Sequence, residues 1–340
     1  MFVLQTQRLA IGFREARAPK LVIAQDLNLT VARGELICLL GPNGVGKSTL
    51  LRTFAGIQKP LGGRVFLSGE DITQLAPRQL AQRLSMVLAE RPHLGLLNGY
   101  ALVALGRQPH TDWLGRLTRY DEAIIRWAVD AVDAANFAER PVMALSDGQR
   151  QKLLIARALA QESDLILMDE PTAFLDLPRR AEIMGLLRHL AAETGRAIVL
   201  STHDLDLALR SADTLWLMSD GQVHVGAPED LVLNGAFEMA FASEKIIFDR
   251  ATGTFSVRTQ DRGVIAVHGQ GDLQTWTRRA LQRVGYTVTA NGASPKASIE
   301  IAGDVFRPIW HLCRDGKLTQ HYSIGDLLAA LAAHTKQGVL

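Results

Sequence analysis

The run Gly41-Pro42-Asn43-Gly44-Val45-Gly46-Lys47-Ser48 constrains this chain more than any other feature. It fits the pattern GxxxxGK(S/T) at every fixed position, and its neighbours are those the pattern requires. The apolar residues Leu36, Ile37, Cys38, Leu39 and Leu40 in front read as a buried parallel strand. The stretch Thr49 to Ala55 behind reads as a helix. Glycines let the backbone wrap closely around phosphates, so that successive N–H groups point at the negative charge. The helix that follows adds its positive end. Lys47 is placed to reach the β- and γ-phosphates, and the Ser48 hydroxyl to ligate Mg²⁺. Residues Gly41 through Ser48, with Thr49 at the helix start, are therefore the first candidate binding residues.

Over a hundred residues later the apolar run Leu165-Ile166-Leu167-Met168 ends in Asp169 and Glu170. A carboxylate at the end of a buried strand is costly unless it meets a cation. Asp169 is the candidate for the acid that orients Mg²⁺ through metal-bound water. Glu170, one residue beyond, can face the γ-phosphate and polarise an attacking water. The plainer alternative is a pair of surface carboxylates before the next helix. In Leu145-Ser146-Asp147-Gly148-Gln149, Ser146 reads as an N-cap and Gln149 as its capping-box partner. A hydroxyl at a helix N-terminus also suits phosphate. Because the chain already holds one complete cradle, Ser146, Gly148 and Gln149 point to the nucleotide of another chain.

The flanking patterns build an α/β protein with a mostly parallel sheet. Phe2–Leu9 and Leu27–Val31 alternate roughly and suggest a small antiparallel sheet at the start. Strands are expected at 65–67, 84–88, 165–168 and 198–201, and helices at 77–82, 147–161, 179–193 and 205–211. Residues 100–138 read as largely helical, broken near Pro109, and 215–225 as a hairpin. The expected domains are 1–233 and 234–340. The second is a small α/β module with at least one β-α-β unit, and the run Val267 to Asp272 is read there as a turn. Leu273, Trp276, Thr277, Ala280, Leu281 and Val284 form a helical stripe that places Trp276 in its core. The net charge of +2 gives no argument for nucleic acid. No run of about 18 apolar residues is present, and no secretory pattern opens the chain. Cys38 and Cys313 do not form a disulfide framework, and a reducing cytoplasm is the expected compartment.

Taken in order, these motifs resemble the ATP-binding subunit of ABC transporters. More narrowly, they resemble the bacterial importers of iron-siderophores, haem and vitamin B12. The resemblance covers roughly residues 1–233 and implies an ABC ATPase domain with an antiparallel N-terminal subdomain and a helical subdomain. Gly41–Ser48 matches Walker A, Leu165–Glu170 Walker B, and Leu145–Gln149 the signature motif. By the same resemblance His203 is the switch histidine that senses the γ-phosphate, and Phe13 takes the place of the aromatic that stacks on adenine. Asp176 lies in the D-loop, and Glu90 stands where a Q-loop glutamine is usual, near metal and water. Asp147 replaces a signature glycine. The implied cofactors are ATP and Mg²⁺. The implied assembly is a homodimer with two membrane-spanning permease subunits, fed indirectly by an extracytoplasmic substrate-binding protein. It would sit peripherally on the cytoplasmic face of the inner membrane. Leu94, Leu96, Leu97, Leu102–His110 and Trp113–Leu117 are the expected docking face for the membrane subunits. Residues beyond 234 fall outside the resemblance, and regulation, dimer contact and stabilisation all stay open for them. Another cargo, export, or a soluble non-transport ABC ATPase are the competing readings.

Overall fold

The computed structural model describes residues 2–14, 20–88, 97–241, 246–250, 252–257, 259–289 and 297–333. They fall into two compact units. One comprises the described residues of Met1–Ser243 and Phe248–Phe255, the other those of Glu244–Ile247 and Ser256–Leu340.

The first unit begins with β1 (Phe2–Phe13), β2 (Leu21–Leu27), β3 (Thr30–Ala32), β4 (Leu36–Leu40) and α1 (Lys47–Phe54). Then come β5 (Gly62–Leu67), β6 (Glu70–Asp71), α2 (Pro77–Arg83), β7 (Leu84–Val87), α3 (Gly99–Ala104) and α4 (Arg119–Asp130). A 3-10 segment, Leu105–His110, directly follows α3. The unit continues with α5 (Asp147–Ala160), β8 (Leu165–Asp169), α6 (Leu177–Thr194), β9 (Ala197–Ser201), α7 (Leu205–Ser211), β10 (Thr214–Ser219) and β11 (Gln222–Gly226). Two short helices, α8 (Pro228–Leu233) and α9 (Ala236–Phe241), follow. A two-stranded ribbon of β12 (Ile246–Asp249) and β13 (Thr254–Val257) comes after them.

The central sheet has the order β11-β10-β4-β9-β8-β7. Its strands are parallel except for β11, which pairs antiparallel with β10. Strands β4, β8 and β9 are buried at every position, as expected for uninterrupted apolar runs covered on both faces. Alternate residues feed opposite layers. Leu36, Cys38 and Leu40 join a core with Leu102, Ile125, Leu153 and Ile183 on the helical side. Ile37 and Leu39 join Leu50, Phe54 and the antiparallel sheet β2-β1-β5-β6 on the other. Cys38 is fully buried and free, and burial pushes its thiol up to about 12.

The second unit holds β14 (Val264–His268), α10 (Gly271–Arg283), β15 (Thr287–Thr289), β16 (Ala297–Gly303), β17 (Pro308–Arg314), β18 (Lys317–His321) and α11 (Ile324–Ala333). The sheet order is β15-β14-β16-β17-β18, with β14 parallel to β15 and β16. The β-α-β unit is thus β14-α10-β15, and the run after Val267 is the expected strand-to-helix turn. Trp276 departs from expectation: it is 58% exposed, with the Arg279 guanidinium 5.1 Å from its ring centroid. Thr277, Ala280 and Leu281 face the core instead, and Trp276 lies just off that stripe. The indole that fills this core is Trp310, whose Nε1 donates to Thr277 Oγ1 at 2.8 Å.

Candidate functional site

The site forms where β4, β8 and β9 end side by side. The register sets Asp169 opposite Ser201, because β8 and β9 pair in parallel with those residues as their last. Asp169, 4% exposed, accepts from two hydroxyls at the same Oδ1, Ser48 Oγ at 3.0 Å and Ser201 Oγ at 2.8 Å. The Ser201 hydroxyl in turn accepts from the Glu170 backbone N–H at 2.9 Å. Glu170 sits in the left-handed region, φ 50°, which turns the chain sharply off the end of β8. Its carboxylate is hydrogen-bonded to the His203 ring. One connected run of polar groups therefore joins the phosphate loop, both strand-end acids and the histidine beyond β9.

The loop is built from backbone where side chains cannot fit. A Cβ on Gly41 would lie 2.3 Å from the Met218 carbonyl, at φ 151°. A Cβ on Gly46, the N-cap of α1, would lie 2.4 Å from Ile23 Cγ2, at φ 112°. Lys47 Nζ donates to the carbonyls of Gly41 and Pro42 at 2.8 and 3.1 Å, so its ammonium lies against the loop. Burial pulls the Lys47 pKa down, and the Glu170 and Asp169 carboxylates oppose that shift. A bare, glycine-formed loop at a helix N-terminus, with a lysine inside it, fits a polyphosphate. Among the described residues no group of three or more His, Cys, Asp or Glu could hold a metal alone. One carboxylate and one hydroxyl fit Mg²⁺, which binds through few protein oxygens and completes its shell with water and substrate phosphate.

Elsewhere the expected residues are placed as follows. Phe13 ends β1 with its ring 48% exposed. Ser146 caps α5, accepting from Gln149 N at 3.3 Å while Gln149 Oε1 accepts from Ser146 N at 3.1 Å. The departure Asp147 is paired with Arg150 at 3.3 Å. Asp176 caps α6 by accepting from Arg179 N at 3.1 Å. Among the described residues no hydrogen bond joins the Ser146–Gln149 box to the phosphate loop, and the box leaves the Ser146 hydroxyl proton and the Gln149 Nε2 free to donate. Glu90, Leu94 and Leu96 lie outside the described residues. Trp113, by contrast, stands 90% exposed. Ser201 is the site residue that sequence reasoning missed. Its signal is its place at the end of an apolar strand two residues before His203.

Comparison with known proteins agrees with this geometry. The family model for the ABC transporter matches residues 24–173, and the model for the iron ABC transporter C-terminal domain matches residues 262–332. The iron(3+)-hydroxamate import ATP-binding protein FhuC of Bacillus subtilis is 40% identical over 221 residues, covering 65% of this chain and 80% of that protein. The cobalamin import ATP-binding protein BtuD of Halobacterium salinarum is 37% identical over 276 residues, covering 78% of this chain and 69% of that protein. Among solved structures, a dimeric bacterial ABC transporter cassette aligns with a TM-score of 0.57 at 26% identity, covering 66% of this chain and 98% of that one.

Proposed function

Because this chain belongs to the ABC transporter family of ATP-binding subunits, we propose that it hydrolyses ATP to drive import of a metal chelate of the iron-siderophore, haem or cobalamin type. It acts through two membrane-spanning permease subunits, peripherally on the cytoplasmic face of the inner membrane, with an extracytoplasmic binding protein delivering cargo. The observation that carries the reading is the run Ser48–Asp169–Ser201–Glu170–His203 beside the glycine loop. The relatives named for iron(3+)-hydroxamate and cobalamin import support the cargo class.

Within that reading the chain's own groups divide the work. The backbone from Gly41 to Gly46, with Lys47 and Thr49, holds the phosphates, and Phe13 stacks on adenine. Ser48 and Asp169 hold Mg²⁺, which when bound neutralises phosphate charge. Glu170 orients the attacking water and accepts its proton, and His203 steadies that carboxylate. Ser146, Gly148 and Gln149 serve the nucleotide of a second copy, so the active species is a homodimer with shared sites. The dimeric cassette that aligns with this chain supports that assembly. The nucleotide-binding domain is that expected at 1–233, extended by α9 and Phe248, whose side chains join the first unit's core, and the accessory domain is the second unit within 234–340. Glu90 and the face from Leu94 to Leu117 receive the membrane subunits through exposed residues such as Leu105, Trp113, Leu114 and Leu117, whereas Leu102, Val103 and Arg107, expected on that face, are buried.

The test is purification with the native membrane partners, followed by reconstitution in proteoliposomes. The expected result is a co-purifying polytopic membrane protein and ATP-dependent uptake of a ferric hydroxamate, haem or cobalamin. Outward movement of cargo, or no membrane partner at all, overturns the import reading.

A further inference from the structure

The segment between α3 and α4 is tied to the far end of the signature helix by one buried cation. Arg107, 2% exposed, lies in the 3-10 segment that follows α3. Its Nε donates to Asp121 Oδ1 at 2.8 Å, and its Nη1 to Ala160 O at 2.8 Å and to Glu162 Oε2 at 2.5 Å. Ala160 is the last residue of α5, whose first turn carries Asp147, Gly148 and Gln149. The other oxygen of each acid is held as well. Thr118 donates to Asp121 Oδ2 from its N–H and its hydroxyl at 2.8 and 2.6 Å. The Tyr120 hydroxyl donates to Glu162 Oε1 at 2.7 Å. His110 Nε2 adds a contact to Gln161 O at 2.8 Å. The backbones also touch, since a Cβ on Gly106 would lie 2.2 Å from the Arg157 carbonyl of α5. A planar guanidinium with acceptors from two helix ends fixes angle as well as distance, which a lysine would not.

Between His110 and Thr118 the chain makes an exposed loop with internal order. Asp112 Oδ1 accepts from Leu114 N and Arg116 N, both at 3.0 Å, and Gly115 N donates to Asp112 O at 3.0 Å. Trp113 projects from this loop. The loop therefore has its own fixed shape and is anchored through Arg107 to the base of α5.

We propose that Arg107 is a positioning residue that makes the Trp113 loop and the signature helix one lever, so that displacement at Trp113 moves Ser146 and displacement at Ser146 moves Trp113. With 1.5 Å rise per residue, α5 carries that motion over roughly 20 Å. The inference rests on the shared-site dimer proposed above. It assigns Arg107 a part in coupling partner docking to ATP use, without contact to the nucleotide.

The test is hydrogen–deuterium exchange on the full chain in a Glu170→Gln background, with and without ATP and Mg²⁺. Two stretches are followed, 146–150 and 114–116, the latter slowed by the hydrogen bonds to Asp112. The expected result is an ATP-dependent change in both. Arg107→Met removes the change at 114–116 and leaves that at 146–150, and Glu162→Gln and Tyr120→Phe diminish it. These two milder variants carry the test if Arg107→Met does not fold. A response at 114–116 that persists undiminished in folded variants overturns the lever, as does its absence from the parent when 146–150 responds. Silence at 146–150 in every chain overturns the shared-site reading itself, and the lever with it.

Discussion

Ser201 holds two consecutive residues with one hydroxyl, donating to Asp169 and accepting from the Glu170 N–H. Replacing it with Ala leaves the Glu170 N–H without its acceptor and takes one of two hydroxyl donors from Asp169 Oδ1, at a cost of about 1–3 kcal/mol. Ser201→Ala should lower thermal stability and weaken Mg²⁺-dependent ATP binding, measured by calorimetry. Unchanged binding would remove Ser201 from the site. Glu170→Gln keeps the shape and removes the proton acceptor. Its single-turnover hydrolysis rate should fall about 10²–10⁴-fold while ATP affinity is retained. Near-normal hydrolysis would take the general-base role from Glu170. Most of this site is legible residue by residue, because glycine, lysine and paired acids at fixed spacing carry chemistry in their identity. Ser201 is not, because a serine at a strand end is common. Only the register that sets it opposite Asp169 gives it a role.

At the scale of elements, the helix caps were legible and the ion network was not. Ser146 and Gln149 form their box within a span of three residues. Arg107 finds its acceptors 14, 53 and 55 residues away, so nothing local marks it. In sequence it belongs to an apolar stretch that reads as a docking surface, yet in the fold it is buried. Its two acids give the network a pH signature. Burial alone would raise Asp121, but hydrogen bonds from Thr118 and Arg107 outweigh it and hold the carboxyl below its usual value. Burial likewise works to raise Glu162, and Tyr120 and Arg107 reverse it. A carboxyl lowered on folding stabilises fully above its unfolded value, near 4, and loses that contribution as pH falls through the folded value. Stability followed by circular dichroism should therefore decline as pH drops below about 4. Asp121→Asn should be less stable than the parent at pH 7 and lose less on acidification. An equal acid loss in both chains would contradict the assignment.

On the scale of the whole molecule, the central parallel strands and α5, α6 and α7 of the first unit were legible, because β4, β8 and β9 are apolar runs and those helices have side-chain caps, whereas β2, β6, α8 and α9 were not read. The second was read less fully. Its β-α-β start was clear, but the β17–β18 hairpin was not, because β18 is an exposed edge strand of mostly polar residues. Trp276 misled because an aromatic within a helical stripe looks like core, whereas the buried indole comes from β17. No sequence pattern states how two copies meet. What points to a dimer is a phosphate loop leading into α1 and a Ser146–Gln149 pair at the start of α5 with, among the described residues, no hydrogen bond between them. The measurement that tests the account most directly mixes two inactive chains, Lys47→Ala and Ser146→Arg, and follows ATP turnover. A mixed dimer pairs the intact phosphate loop of one copy with the intact signature of the other, so hydrolysis should return on mixing. No turnover in a mixture proven to contain heterodimers would contradict the shared site, and with it the account of how this chain uses ATP.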